Sequence, residues 1–225
     1  MCANKSEYWN GSGLAFRDIK DMNSCWRDVL PLARQSKRRK GDDVPQGENL
    51  MFLDRGRIRL AYQNRDGAEK ILWYIREGCL FGEAPFFDPI QDDGFFTCMT
   101  DCVIHVFSAQ AIERISRDRP DLLLNLISSM ARKLQIVYYH ASSLYLDDVL
   151  VRLCKFLAQR LVPDSNPLTA KLGISRQEMA SLLGIHRVSL YRVLRQQEEN
   201  GLLGPVKGSA VTILRPQEFY KLLEK

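Results

Sequence analysis

The chain of 225 residues is 45% apolar and carries a net charge of +5 with an isoelectric point near 8.9. That length predicts two ordinary domains, and the apolar fraction gives each enough side chains for a core. No run of about 18 uncharged apolar residues occurs, and the first residues lack the basic-then-apolar build of a secretory signal, so no membrane contact is expected and the cytoplasm is the expected compartment. The six cysteines, Cys2, Cys25, Cys79, Cys98, Cys102 and Cys154, show neither a CxxC pair nor zinc-ligand spacing, which argues against a disulfide framework and a zinc site.

Residues 1–34 read as an N-terminal segment with a helix around Cys25 to Arg34. Alternating apolar residues then predict short strands at Asn49 to Leu53, at Arg57 to Tyr62, and at Glu69 to Ile75, where Ile71, Trp73 and Ile75 fall on one side. Asn64-Arg65-Asp66-Gly67 is the turn between the last two. Strands and Gly turns continue to Phe107, so residues 35–119 are expected to form a β-barrel or roll closed by a short helix that Ser108 opens.

Pro120 restarts the chain, and neither Gly nor Pro interrupts Leu122 to Tyr145. Leu123, Ile127, Met130, Leu134, Val137, Ala141 and Leu144 recur at alternating steps of four and three, a heptad seam that predicts a dimerisation helix over residues 120–147. The same period also suits a helix packed on its own barrel. Asp147 and Asp148 break the seam as a hinge and can cap a following helix, Val149 to Leu161.

Residues 148–225 carry the most specific signal. From Ser175 to Arg195 the spacing is that of a helix-turn-helix: a capping box at Ser175 and Glu178, small Ala180 where two helices nearly touch, and Gly184 at the turn. Met179, Leu183, Ile185, Leu190 and Val193 form the expected apolar underside. Such a unit lays its second helix in the DNA major groove, which puts Arg187, Val188 and Arg192 at the base edges. The guanidinium fork of Arg187 or Arg192 matches guanine O6 and N7, and Val188 can pack on a thymine methyl. Residues 164–225 hold nine Lys and Arg against six Asp and Glu, so positive charge lies where a groove-reading helix needs it. Val206 to Ile213 reads as a small hairpin, or wing, and Pro216 starts a last helix. Helix-turn-helix readers commonly act as two-fold dimers, and this decides the heptad seam in favour of a homodimer.

An α+β order of β-roll, long dimer helix, hinge acid and winged helix-turn-helix resembles the cyclic-AMP receptor protein and fumarate-nitrate regulator superfamily of bacterial transcription factors. The resemblance covers roughly residues 35–215 and rests on Ile174-Ser-Arg-Gln-Glu178, Gly184 through Leu194, Gly82-Glu83, Met130-Ala-Arg-Lys-Leu-Gln135 and Asp148. It implies a cyclic-nucleotide-binding-like, cupin-like jelly roll as the sensing domain. It also implies palindromic double-stranded DNA and RNA polymerase as partners, with phosphate contacts from Ser175, Arg176, Gln177 and Ser189. Where many members of the superfamily read cytosine with a glutamate, this chain has Val188, so a half-site other than TGTGA or TTGAT is expected.

The sensor region departs from the family. Gly82 and Glu83 match the ribose-holding pair, but Asp92 and Asp93 stand where the phosphate-binding Arg-Ser is expected, and Val137 and Tyr138 replace the adenine-binding Thr-Ser. Cyclic AMP is therefore disfavoured. An iron–sulfur cluster is disfavoured too, because Cys2 and Cys25 are too few and too far apart. Two sensor chemistries remain. One is haem with a gas ligand, on His105 or His140. The other is a small organic effector held by Trp73, Phe81, Phe86, Phe87, Gly82, Glu83, Val137 and Tyr138, as in the halophenol-responsive regulators that this part of the chain resembles. Further readings are a thiol switch at Cys98 and Cys102, and a ligand-binding regulatory subunit acting through protein contacts. The run Lys37-Arg-Arg-Lys40 reads as a solvated face. No nucleophile–base set, phosphate loop or metal cluster points to an enzyme.

Overall fold

The computed structural model describes residues 18–45, 47, 49–65, 67, 69–88 and 94–224, and these divide into two compact units, residues 18–135 and 136–224. The expected helix at Cys25 to Arg34 is a 3-10 helix, Ser24–Leu32. It ends at Ala33, which is extended (φ −105°, ψ 154°), since Pro31 has no N–H to continue the ladder. Strands β1 (Arg34–Arg38), β2 (Asp43–Val44), β3 (Leu50–Arg55), β4 (Arg57–Gln63), β5 (Glu69–Arg76) and β6 (Cys79–Phe81) follow. Helix α1 (Glu83–Phe87) precedes β7 (Gly94–Cys98) and β8 (Cys102–Phe107). They form two four-stranded sheets, in the orders β1-β8-β3-β6 and β2-β7-β4-β5, with antiparallel neighbours throughout.

The run Leu50-Met-Phe-Leu53 is buried on both faces, which is why it is apolar without alternation. Leu50 and Phe52 lie on one face with Leu80 and Phe107, in a cluster with Trp26, Val29, Ile112, Ile115, Leu122 and Leu126. Across the other face, Phe81 of β6 meets Phe96 of β7 edge-on at 5.2 Å, joining the two sheets inside the roll. The chain passes from β3 in one sheet to β4 in the other through Gly56 with φ +107°, where an added Cβ would come within 2.6 Å of the Asp101 carbonyl. One expectation fails in β5. The register between β4 and β5 shifts at Leu60 and Ala61, so Ile71 and Ile75 are buried while Trp73 is half-buried and Tyr74 takes its place in the core. A bulge adds one residue to one strand and moves later side chains to the opposite face.

Helix α2 (Ala109–Asp118) is capped by Ser108, whose Oγ accepts from the Ala111 N–H at 3.3 Å. Helix α3 (Pro120–Leu146) runs across the boundary between the units without a break. A buried amide network ties its first half to the 3-10 helix. Asn23 Nδ2 and Trp26 Nε1 both donate to Asn125 Oδ1 at 2.8 and 3.2 Å, and the Leu80 N–H donates to Asn23 Oδ1 at 2.9 Å.

The second unit continues with α4 (Val149–Ala158), β9 (Thr169–Lys171), α5 (Arg176–Leu183), α6 (Arg187–Glu199), β10 (Ala210–Thr212) and α7 (Pro216–Leu223). The expected hairpin within Val206 to Ile213 is present: Lys207 and Ala210 close its turn through paired 3.1 Å bonds, and Leu203 bridges Ile213 antiparallel further down the arms. Its outer arm β10 has a second partner that the sequence reading did not include, β9, which comes before the helix-turn-helix.

Asn125→Ala leaves the buried Asn23 amide and the Trp26 indole N–H without an acceptor. It is expected to lower unfolding free energy by about 2 to 4 kcal/mol in urea titrations.

Candidate functional site

Helix α5 begins as its sequence requires. Ser175 Oγ accepts from the Glu178 N–H at 3.2 Å and Glu178 Oε2 accepts from the Ser175 N–H at 2.8 Å, a complete capping box. The helix ends at Gly184 in the left-handed region (φ 64°), and the Ile185 N–H returns to the Ala180 carbonyl at 3.0 Å. Met179, Ala180, Leu182 and Leu183 of α5 are buried with Leu190 and Leu194 of α6. Ile185 and Val193, expected in that underside, are half-buried; Leu182 and Leu194 supply the rest of it. From α4, the buried Arg152 donates through Nη1 to the Leu183 carbonyl at 2.8 Å, capping the C-terminus of α5.

These contacts turn the other side of α6 outward. Arg187, Val188, Tyr191, Arg192 and Arg195 are exposed, Val188 to 69%. Arg195 pairs with Glu199 one turn on, at 2.9 Å. Arg187 Nη2 donates to Tyr191 Oη at 3.2 Å, and the guanidiniums of Arg176 and Arg187 lie 5.1 and 5.4 Å from the Tyr191 ring centre. Ser175 and Gln177 are exposed and Arg176 and Ser189 half-buried, at the start of the two helices.

Along α3 the structure separates two stripes. Leu122, Leu126, Ser129, Lys133, Ile136, His140 and Ser143 are buried at steps of four and three. Leu124, Ile127, Ala131, Leu134, Tyr138, Ala141 and Tyr145 are exposed at steps of three and four. Of the seam residues named from sequence, Ile127, Met130, Leu134, Ala141 and Leu144 lie on the exposed side, whereas Leu123 and Val137 are half-buried and Leu123 packs on the core cluster. The exposed stripe is therefore shifted by one position at several levels. At the hinge, Asp148 caps α4 by accepting from the Val151 N–H at 2.8 Å. Asp147 does not cap: its carboxylate takes the Lys155 ammonium at 2.8 and 2.9 Å and the Ser143 hydroxyl, with both charged side chains largely buried.

In the roll, Gly82 adopts φ 82° and launches α1, placing Glu83 inside at 8% exposure. Its carboxylate is not free to meet an external group, because Lys133 Nζ from α3 donates to Glu83 Oε1 and, at 2.7 Å, to the Leu80 carbonyl. Sequence reasoning missed Lys133. The signal was available, since Lys133 follows Leu126 and Ser129 on the buried heptad phase, and a buried lysine needs an anionic partner. Phe81 is a core ring against Phe96, Phe86 is half-buried and Phe87 exposed. Val137 and Tyr138 belong to the second unit, half-buried and exposed respectively. Asp92 and Asp93 lie outside the described residues.

His105 pairs across the sheet with Phe52 and, by alternation, shares the face of Phe107 that packs under the 3-10 helix, away from Phe81 and Phe96. Its Nδ1 is buried with no hydrogen-bond partner among the described residues. His140 is buried in the second unit. Among the described residues no group of three or more His, Cys, Asp or Glu is placed to hold a metal ion, and no helix is long and apolar enough to cross a membrane. Cys98 and Cys102 are buried where β7 turns into β8 and share a hydrogen bond that pulls the Cys102 thiol down and pushes Cys98 up; Cys102 Sγ also donates to the Thr100 carbonyl at 3.2 Å.

A roll of two antiparallel sheets, one helix with both a buried and an exposed stripe, and a winged helix-turn-helix define a ligand-sensing DNA-binding regulator. The sequence profile of the cyclic nucleotide-binding domain matches residues 39–119, and that of the Crp-like helix-turn-helix domain matches residues 151–222. The cAMP-activated global transcriptional regulator CRP of Pasteurella multocida is 28% identical over 162 residues, 70% of this chain and 78% of that protein. Among solved structures, OCPA-complexed CprK superposes with a TM-score of 0.76 at 18% identity, covering 92% of this chain and 99% of that one. A CooA mutant from Carboxydothermus hydrogenoformans does so at 0.74 and 19%, covering 91% and 100%. The chain belongs to the cyclic-AMP receptor protein and fumarate-nitrate regulator superfamily, and is a DNA-binding transcription regulator with an effector-binding domain.

Lys155→Met leaves the buried Asp147 carboxylate with Ser143 alone. It is expected to destabilise the protein by about 3 kcal/mol, measured by chemical denaturation at neutral pH.

Proposed function

We propose that the protein is a cytoplasmic homodimeric regulator that binds palindromic DNA under the control of a small organic acid, not of cyclic AMP or a haem-bound gas. The observation that carries this reading is the Lys133 ammonium seated on Glu83 and the Leu80 carbonyl. A ribose hydroxyl would have to compete with a cation for Glu83, whereas an effector with its own carboxylate or phenolate can take Lys133 in exchange. Phe86, half-buried on the helix that Glu83 opens, suits an aromatic body. A ligand of this chemistry, o-chlorophenolacetic acid, is present in a structure of CprK, which has a similar fold. By this reading Glu83, Lys133 and Phe81 line the responsive region, and effector exchange at Lys133 acts through α3 on the hinge at Asp147 and Asp148.

The exposed stripe from Leu124 to Tyr145 supports dimerisation, because a single chain leaves seven such positions facing water along one helix. Two recognition helices related by that seam would meet half-sites about 34 Å apart, one turn of DNA, and RNA polymerase is the expected further partner. Leu134→Glu is expected to convert the dimer to a monomer in sedimentation equilibrium and to abolish binding to the palindrome.

Isothermal titration with cyclic AMP and with o-chlorophenolacetic acid tests the effector. The expected result is heat from the aromatic acid alone; saturable micromolar binding of cyclic AMP would overturn the reading. For the half-site, selection from random duplexes should recover a sequence other than TGTGA. Val188→Glu should restore a preference for cytosine at the facing position by about 1 to 3 kcal/mol.

The paired thiols favour a second reading. With hydrogen peroxide as oxidant, the Cys102 thiolate would attack one peroxide oxygen to give a sulfenic acid, and Cys98 would displace its hydroxyl as water to form a disulfide, with two waters released in all. Intact-mass spectrometry after peroxide treatment, before and after reductant, should show a reversible loss of two hydrogens; an unchanged mass would remove this reading.

A further inference from the structure

The first residues of the two helices of the helix-turn-helix, Arg176 and Arg187, converge on one side chain. Both guanidiniums lie over the Tyr191 ring, at 5.1 and 5.4 Å from its centre, and Arg187 donates to its phenol through Nη2 at 3.2 Å. The two arginines draw the ionisation of Tyr191 below its ordinary range, Arg176 contributing most. The nearby carboxylates are engaged elsewhere, Glu178 in the capping box and Glu199 with Arg195. Two cations are thus held side by side by a neutral ring, although like charges in proximity repel. Such a pair lacks only an anion.

The spacing defines the anion. Two guanidiniums centred 5.1 and 5.4 Å from one ring centre stand no more than about 10.5 Å apart from carbon to carbon. A phosphodiester presents two free oxygens about 2.5 Å apart and accepts charge-assisted bonds of about 2.8 Å on each, so a single one spans that gap. A guanine contact makes a different demand. It needs the Arg187 fork aligned with O6 and N7 in the base plane, free of a second cation and of the phenol.

We propose that Arg176, Arg187 and Tyr191 form a clamp for one backbone phosphodiester, so that Arg187 grips the DNA backbone and base reading falls to Val188 and Arg192. This rests on the DNA-binding reading and revises the sequence expectation for Arg187. Tyr191 is a positioning residue. It lies on the exposed side of α6 at 37% exposure, and its hydroxyl holds Arg187 one turn back toward Arg176 and away from the groove floor.

The test uses full-length protein and a fluorescent palindromic duplex obtained by selection, with each half-site base replaced in turn, at salt from about 50 to 200 mM. Arg187→Gln should weaken binding by a similar factor on every duplex. It should also lower the salt slope by about one per protomer, because one phosphate contact is lost. Tyr191→Phe keeps the ring and removes the acceptor; it should weaken binding less and uniformly, while Arg192→Gln should relax discrimination at one base position. Relaxed discrimination at a single position in Arg187→Gln, with an unchanged salt slope, would overturn the clamp and leave the DNA-binding reading standing. Failure of the unmodified protein to bind any duplex in a salt-dependent way would overturn both. The exposed position of Arg187 on α6 makes loss of fold an unexpected outcome, checked by circular dichroism.

Discussion

A helix of 27 residues with buried groups along one side and apolar groups along the other has to be covered twice, and this double demand on α3 organises the molecule. The buried stripe serves the chain's own packing. Leu122 and Leu126 complete the core under the 3-10 helix, Asn125 accepts from Asn23 and Trp26, and Lys133 neutralises Glu83. The opposite stripe, from Leu124 to Tyr145, is exposed in the single chain.

The buried Lys133–Glu83 pair is poorly explained as a stabilising device. Taking both charges from water costs several kcal/mol per ion, and such pairs often only break even against apolar residues of equal size. What it does provide is a fixed polar contact that ties α3 to Glu83 and to the Leu80 carbonyl. A site designed only for stability would carry leucine there.

The helix-turn-helix was legible in the sequence because its constraints are local. A capping box, a left-handed Gly184 and the heptad-like spacing of Met179, Leu183 and Leu190 are fixed by residues within one or two turns. The roll was legible as a class, but its details were not. The bulge between Leu60 and Ala61 moves Tyr74 inward and Trp73 outward, and a register shift leaves no mark in the period of β5 itself. Likewise β9 could not be read as the wing's partner, because three residues, Thr169 to Lys171, carry too little periodicity, and the pairing spans forty residues of chain. The sensing pair was half legible: Gly82 and Glu83 stood out, whereas Lys133 was hidden in a seam read for its apolar residues. The same limit applies to Arg187, whose bond to the phenol of Tyr191 leaves no mark in the spacing.

Arg152 has a consequence for motion. Its guanidinium is buried on α4 and closes the end of α5 through the Leu183 carbonyl, and desolvation lowers its affinity for the proton without freeing the bond. Sliding α5 along α4 would strand that charge in an apolar interior, so the two helices must travel as a single lever whose near end is the Asp148 cap. A turn of backbone at Leu146 to Asp148 would therefore carry α4 and the end of α5 together, with the bond to Leu183 intact.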